Sequence, residues 1–149
     1  MQIRVKTFDD LTPRELYAIL KLRSEVFVVE QQCIYSDPDG KDLQAIHVWM
    51  EDETGVLGTL RILPAGLQGD TVAIGRVVTR DRNKGYGKIL MQAGLEAAVH
   101  TMQTDVVRIE AQCYAQAFYE KLGFSAVSEP FMEDGIPHMH MEWRRGHAG

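Results

Sequence analysis

The chain has 149 residues, 45% hydrophobic and 25% charged, enough for one domain with a sizeable core. A net charge of −5 removes any overall electrostatic reason to seek nucleic acid or an anionic membrane. Two cysteines, Cys33 and Cys113, lie far apart without metal-type partners at close spacing, which excludes a disulfide framework and a zinc pattern. Met1 to Val5 lack the apolar run of a signal peptide and no segment is long enough to span a bilayer, so a cytoplasmic location is expected.

Ile3, Val5 and Thr7 alternate with Arg4 and Lys6, predicting a first strand. Thr12-Pro13-Arg14-Glu15 is a capping box with proline at the first helical position, and Leu11 and Leu16 are placed to staple across it. The helix that follows carries Leu16, Ile19, Leu20 and Arg23 on one side. Arg23 there needs a carboxylate, with Glu30, Asp37 and Asp39 as candidates. The helix gives way to Val26-Phe27-Val28-Val29, a β-branched and aromatic run, and then to a turn at Ser36-Asp37-Pro38-Asp39-Gly40. Ala45 to Met50 and Val56 to Leu63 read as strands of a hairpin joined at Asp52-Glu53-Thr54-Gly55. A further strand runs from Thr71 to Val78.

Tyr86, Leu90, Ala93 and Ala97 then repeat at helical spacing, predicting a helix over Gly87 to His100. Val106 to Ala111 is a buried strand candidate, and Tyr114 to Leu122 a shorter helix stopped at Gly123. Phe124 to Val127 and His138 to Trp143 are final strands. The order implies one α/β domain: a mixed, mostly antiparallel sheet with helices on both faces.

Between the strand ending at Val78 and the helix beginning at Gly87 lies Arg82-Asn83-Lys84-Gly85-Tyr86-Gly87. Arg76, Arg80, Arg82, Lys84 and Lys88 surround it against Asp81 alone. Helix-start N–H groups lack intrahelical partners, and the helix dipole favours anions there, so a basic glycine turn at this point suits phosphate. A dinucleotide fingerprint needs a third glycine where Leu90 stands, and a Walker loop needs Ser or Thr where Ile89 stands. What remains is a pyrophosphate loop of the form Arg-x-x-Gly-x-Gly, with glycines that let ligand oxygens approach the backbone.

That form resembles the coenzyme A loop of the GCN5-related N-acetyltransferases, the GNAT family. Ala115 to Phe124 is similar to the family's Ala-x-x-x-Tyr-Glu-Lys-Leu-Gly-Phe segment and lies one strand after the loop's helix. Arg23 to Phe27, Glu30-Gln31 and Glu133 to His138 look like the ElaA-like branch. The resemblance covers nearly the whole chain. It implies the GNAT acyl-CoA N-acyltransferase fold, acetyl-CoA as donor, and a small-molecule or peptide amine as acceptor. It further implies that Val77, Val78 and Thr79 offer backbone groups to the pantetheine arm, and that Arg82, Asn83, Lys84, Gly85, Tyr86 and Gly87, with Lys88, hold the pyrophosphate. Phe118 joins the cofactor-binding set, and Tyr119 lies near the coenzyme sulfur. Gln112 stands where the family often has asparagine, keeping the amide but adding a methylene.

Acyl transfer sets the remaining demands. A lysine-like amine, with a pKa near ~10.4, is protonated at neutral pH and needs a base. The carbonyl oxygen needs a donor such as the Val77 N–H, and the leaving thiolate a proton, which Tyr119 is placed to give. Glu110, a carboxylate within an apolar strand, is the first candidate base; His47 and His138 are further ones. His138 and His140 share a strand face without a third ligand, so no metal is expected. Trp49 and Trp143 read as core or rim packing. Nothing marks Cys113 as a nucleophile, which favours direct transfer.

The acceptor is expected against the Val26 to Gly40 segment, the strand near Arg76, and the Phe131 to His138 loop. Asp37, Asp39, Asp42, Glu133 and Asp134 would suit a cationic acceptor, or stand as solvated loop carboxylates. An exposed final strand would let two copies pair. Two other readings stand beside this one. Arg23 to Phe27 with Thr59 to Pro64 faintly resemble acyl-homoserine-lactone synthases, which mostly use acyl-carrier protein. A non-catalytic acyl-CoA-binding module would carry the same loop.

Overall fold

A computed structural model describes residues 1–33 and 35–146; Ile34, inside the Val26 to Gly40 segment, lies outside the described residues. The chain runs β1 (Gln2–Thr7), α1 (Pro13–Arg23), β2 (Ile46–Asp52), β3 (Gly55–Leu63), β4 (Ala73–Thr79), α2 (Tyr86–Met102), β5 (Val106–Gln112), α3 (Gln116–Glu120), β6 (Phe124–Ala126), β7 (Phe131–Glu133) and β8 (Ile136–Arg144). The strands form one mixed sheet in the order β1-β2-β3-β4-β5-β8-β6, with β7 also paired to β8.

Local chemistry explains the first helix. Thr12 Oγ1 accepts from Glu15 N at 3.1 Å, and Glu15 Oε1 accepts from Thr12 N at 2.9 Å, so the capping box is formed in both directions. The helix does not give way at the β-branched run. Ser24–Glu30 continues it as a π-helical segment, in which Gln31 N donates to Val26 O and Cys33 N to Val28 O. The wider i→i+5 winding accommodates the branched side chains without breaking the backbone bonds.

Alternation along β3 separates the two faces of the sheet. Leu60 and Ile62 join Val48, Met50, Ile74, Leu90, Met91, Leu95 and Ala98 in the main core under α2. Thr59, Arg61 and Leu63 point to the other face, where α1 lies against β3 and β4. A Cβ built on Gly94 of α2 would sit 2.7 Å from Leu60 Cδ2 and 3.4 Å from Ile74 Cδ1, so this glycine lets the helix approach the sheet closely.

Two features of the C-terminal region depart from expectation. Phe131 to His138 is a hairpin rather than a loop: β7 and β8 turn at Asp134-Gly135, both with positive φ (52° and 75°). Asp-Gly is a sequence signal for such a turn, and the strand before it is only three residues long. The final strand is also not a free edge. β8 lies between β5 and β6, and the sheet ends at β1 and β6, so pairing of two copies through β8 is ruled out by its own neighbours.

Gly94→Val is expected to lower the unfolding free energy by roughly 1–3 kcal/mol, the usual cost of overpacking a filled core. Urea unfolding measures it, and wild-type stability would mean that α2 can withdraw from Leu60 freely.

Candidate functional site

The site begins with a bulge. Thr59 pairs with Val78 and Arg61 with Gly75, so Leu60 alone faces two β4 residues, Arg76 and Val77. Arg76 takes a left-handed φ of 52°, an uncommon conformation for a residue with a side chain. β4 and β5 are parallel and in register only at Ala73 and Arg108, before the bulge, with Arg108 N donating to Val72 O at 2.9 Å. Past it the strands part, leaving one edge of β4 without a neighbour. Arg80 N donates across to Leu57 O at 2.7 Å, so by alternation the groups of Val77 and Thr79 face the open side.

The bulge is held by a buried charge network on the α1 face. Arg23 Nε lies 2.8 Å from Asp37 Oδ2 and its Nη1 2.8 Å from Asp42 Oδ1. Arg61 clasps both Asp39 oxygens, at 2.8 and 2.7 Å, and reaches Asp42 Oδ1 at 3.1 Å. Arg76 Nε sits 3.0 Å from Asp37 Oδ1, its Nη2 donates to Asp37 O at 3.1 Å, and its guanidinium lies over the Tyr35 ring. Arg23 and Arg61 are 1% and 2% exposed, so only this pairing makes their burial tolerable. The Arg61 hydrogen bonds pull the Asp39 carboxyl far below its ordinary range. At Asp42 burial pushes upward, but the Arg23 and Arg61 guanidiniums outweigh it and the net shift is downward.

These contacts correct three expectations. Asp37, Asp39 and Asp42 are not a set of free carboxylates for a cationic acceptor: three arginines pair with them, Asp37 and Asp42 are buried, and only Asp39 reaches water. Arg23 finds Asp37, as anticipated, together with Asp42, while Glu30 pairs instead with Arg82 of the pyrophosphate loop. His47 is 1% exposed, with Nε2 3.0 Å from Asp42 O, and burial lowers its pKa. Sealed inside the network, it has no access to a substrate proton. Arg61 went unnoticed in the sequence, although a charged residue between Leu60 and Ile62 is a signal that a partner must be buried with it.

On the α2 face the loop has the anticipated form. Asn83 (φ 62°) and Gly85 (φ 75°) are left-handed on either side of Lys84, and Gly85 caps α2 with open space around it. No side chain caps this 17-residue helix and no acidic residue occupies its first turn, so its N–H groups point outward unpaired. Arg82, Lys84 and Lys88 are exposed around it. Gly87 carries a further constraint: a Cβ there would stand 3.2 Å from Phe118 Cζ, so the glycine also makes room for the Phe118 ring of α3.

α3 brings Tyr119 to the same face. Its ring packs edge-on against Phe118 and Phe124, at 5.1 and 5.7 Å between centroids, and it borders the main core. Burial, with a smaller push from Tyr114, raises the phenol to about 12. No hydrogen bond to the Tyr119 hydroxyl is found among the described residues. On the opposite, α1 face, side chains of β5 and β8 alternate together: Gln112 opposite His138, Glu110 opposite His140, Arg108 opposite Glu142. A cleft of about 150 Å³ opens here, bounded by Asp70, Thr71, Ala73, Arg108, Glu110 and His140. Glu110 is exposed on this face, and the raised pKa in the cluster belongs to its neighbour Glu133, through burial and the nearby Glu110 carboxylate.

A mixed sheet whose parallel strands part beside an uncapped basic helix start defines the acyl-CoA N-acyltransferase fold. Comparison with known proteins agrees. Residues 21–145 match the family described as "Acetyltransferase (GNAT) domain". Protein ElaA of Escherichia coli is 41% identical over 138 residues, 89% of each chain, and a UPF0039 protein of Schizosaccharomyces pombe is 40% identical over 140 residues, 91% of this chain and 92% of that one. The crystal structure of an acyl-CoA N-acyltransferase from Pseudomonas aeruginosa superposes with a TM-score of 0.90 at 41% identity, covering 96% of this chain and 99% of that one. The chain belongs to the GNAT acetyltransferase family and is ElaA-like within it.

Two outcomes are expected from the network. Arg61→Met is expected to cost roughly 3–5 kcal/mol in urea unfolding, because it strands Asp39 and Asp42 without their partner. The carboxyls are depressed in the folded chain, so their stabilisation is complete above the unfolded Asp value of ~3.9 and is lost as pH falls through the folded values. Wild-type stability is therefore expected to hold down to about pH 4 and then decline, more steeply than in Asp39→Asn. Parallel profiles for the two proteins would exclude Asp39 as a contributor.

Proposed function

We propose that this protein transfers an acetyl group from acetyl-CoA to an amine of a small molecule or peptide by direct attack on the thioester. One observation carries the reading: β4 parts from β5 in a wedge just before the uncapped, basic start of α2, so unpaired backbone groups of a strand and of a helix lie next to one another in the chain. The open groups of Val77 and Thr79, with neighbouring Val78, suit a pantetheine arm added as a short strand. Arg82, Asn83, Lys84, Gly85, Tyr86, Gly87 and Lys88 suit the pyrophosphate, which would compete with Glu30 for Arg82. The Gln112 amide, at the end of β5, faces the arm from the other side, and Phe118 walls the loop. The description of the P. aeruginosa relative as an acyl-CoA N-acyltransferase supports an acyl-CoA donor.

The two faces then divide the chemistry. Tyr119 stands on the donor face. A phenol near 12 is a weaker acid than a thiol at ~8.5. Its task is therefore to donate a hydrogen bond as charge grows on the sulfur. A strand N–H such as that of Val77 stabilises the carbonyl oxygen. The group that accepts the amine proton belongs on the α1 face, where Glu110, Glu133 and His138 stand together.

Tyr119→Phe is expected to lower kcat roughly 10²-fold while leaving the acetyl-CoA dissociation constant unchanged. Thiol release across polyamines, amino acids, aminoglycosides and peptide amines, beside calorimetric titration with acetyl-CoA, checks both. Unchanged turnover in the phenylalanine variant would remove Tyr119 from the chemistry, and tight donor binding with no acceptor in the panel would favour a binding module.

A further inference from the structure

We infer that His138 is the general base of the transfer, accepting the amine proton at Nε2 on the acceptor side of the wedge. The inference rests on the transferase reading above and adds a residue and an atom to it.

Three observations place His138 there. First, it pairs across β5–β8 with Gln112, the last residue of β5, where β4 and β5 have already parted. Directly paired residues project to one face, and Glu110 and Gln112 alternate with Ile109 and Ala111, which are buried under α2. His138 therefore projects to the α1 face, opposite Tyr119, so the proton acceptor and the sulfur's hydrogen-bond donor flank the wedge from its two sides. Second, its tautomer is set. Nδ1 lies 2.7 Å from Ile136 O, which can only accept, so Nδ1 carries the proton and Nε2 keeps its lone pair. Third, the ring is held in place. Phe131 stacks on it at 6.1 Å and 24°, and leans on His140 at 4.8 Å.

Several titratable groups surround it. Glu133 lies close enough to His138 and Glu110 for both to act on its carboxyl. Asp134 follows in the turn, with its carbonyl 3.8 Å from Cys33 Sγ, and His140 shares the Phe131 ring. The Glu133–Glu110 pair leads from the ring along β5 to the cleft. Glu110, the first candidate from the sequence, takes its part through this pair, two residues further from the parted end of β5 than Gln112.

The atoms balance. The nitrogen–carbonyl carbon bond forms and the carbon–sulfur bond breaks. An alkylammonium gives up two protons: His138 Nε2 takes the first and passes it to solvent, and the second ends on the coenzyme sulfur.

The test uses the full chain with acetyl-CoA and two probe amines. Cadaverine, protonated at neutral pH, needs a base; hydroxylamine is already neutral and does not. His138→Asn keeps a donor for Ile136 O but has no basic nitrogen. It is expected to lose roughly 10²- to 10⁴-fold in kcat/KM with cadaverine, along with the acidic limb of the pH profile. Hydroxylamine turnover and the acetyl-CoA dissociation constant are expected to stay within a few fold of wild type. An equal loss with both amines, or none with either, overturns the proposal. Nitrogen-15 NMR of the unliganded protein gives an independent reading: the neutral ring is expected to be protonated at Nδ1, and protonation at Nε2 overturns the assignment. A wild-type chain that released thiol with neither amine would count against the transferase reading, and the NMR result would still decide the geometry claimed for His138.

Discussion

Three arginines and three aspartates, alternating in a buried network, hold the rest of this structure in place. Arg23 comes from the first helix, Arg61 from β3, Arg76 from the bulge in β4, and Asp37, Asp39 and Asp42 from the segment between α1 and β2. Arg23, Arg61, Asp37 and Asp42 are nearly sealed from water, where an unpaired ion is very costly, while Arg76 and Asp39 reach its edge, so each element is held by the requirement that no buried member lose its partner. Networks of this kind add little net stability against a well-packed apolar alternative. What this one supplies is position: Arg76 can occupy a left-handed conformation inside a strand because Asp37 and Tyr35 receive its side chain.

The consequence lies on the far side of that strand. A bulge bends its strand and ends regular pairing, and β4 departs from β5 just beyond the point where the two are in register. An unpaired strand edge inside a sheet is ordinarily a liability. Here it faces the start of α2, whose N–H groups are also unpaired, so two sets of orphaned backbone groups border the same wedge. The faces proposed for the donor and the acceptor meet at this opening. In the proposed transfer that arrangement would let the partly buried Tyr119 phenol and the anchored His138 imidazole serve the same bond from opposite sides.

Much of the donor side was legible in the sequence because its signals are local. A strand, a basic glycine turn and a helical stripe follow one another within about twenty residues, and the Ala115 to Phe124 segment adds the tyrosine. The capping box was equally plain, since its two hydrogen bonds join residues three apart. The ion pairing was not legible, because its partners come from distant points in the chain. Asp37 and Arg76 meet across 39 positions, and Glu30 and Arg82 across 52. The β-branched run after α1 misled for a related reason: its propensity is for strands, yet helical backbone bonds were already propagating into it.

By itself the sequence determined most of the order of elements, though not β7 or the π-helical turn after α1, together with the helix start that suits phosphate, and the family. These depend on periodicity and on side chains close together along the chain. Only the tertiary structure decided which charges are consumed and which remain free. It turned three loop aspartates from a candidate acceptor site into a structural clasp, sealed His47 away, and placed His138 beside the parted strands with one nitrogen tied and the other open. Pairing between charges far apart in sequence is a property of the folded packing, and local pattern carries no record of it.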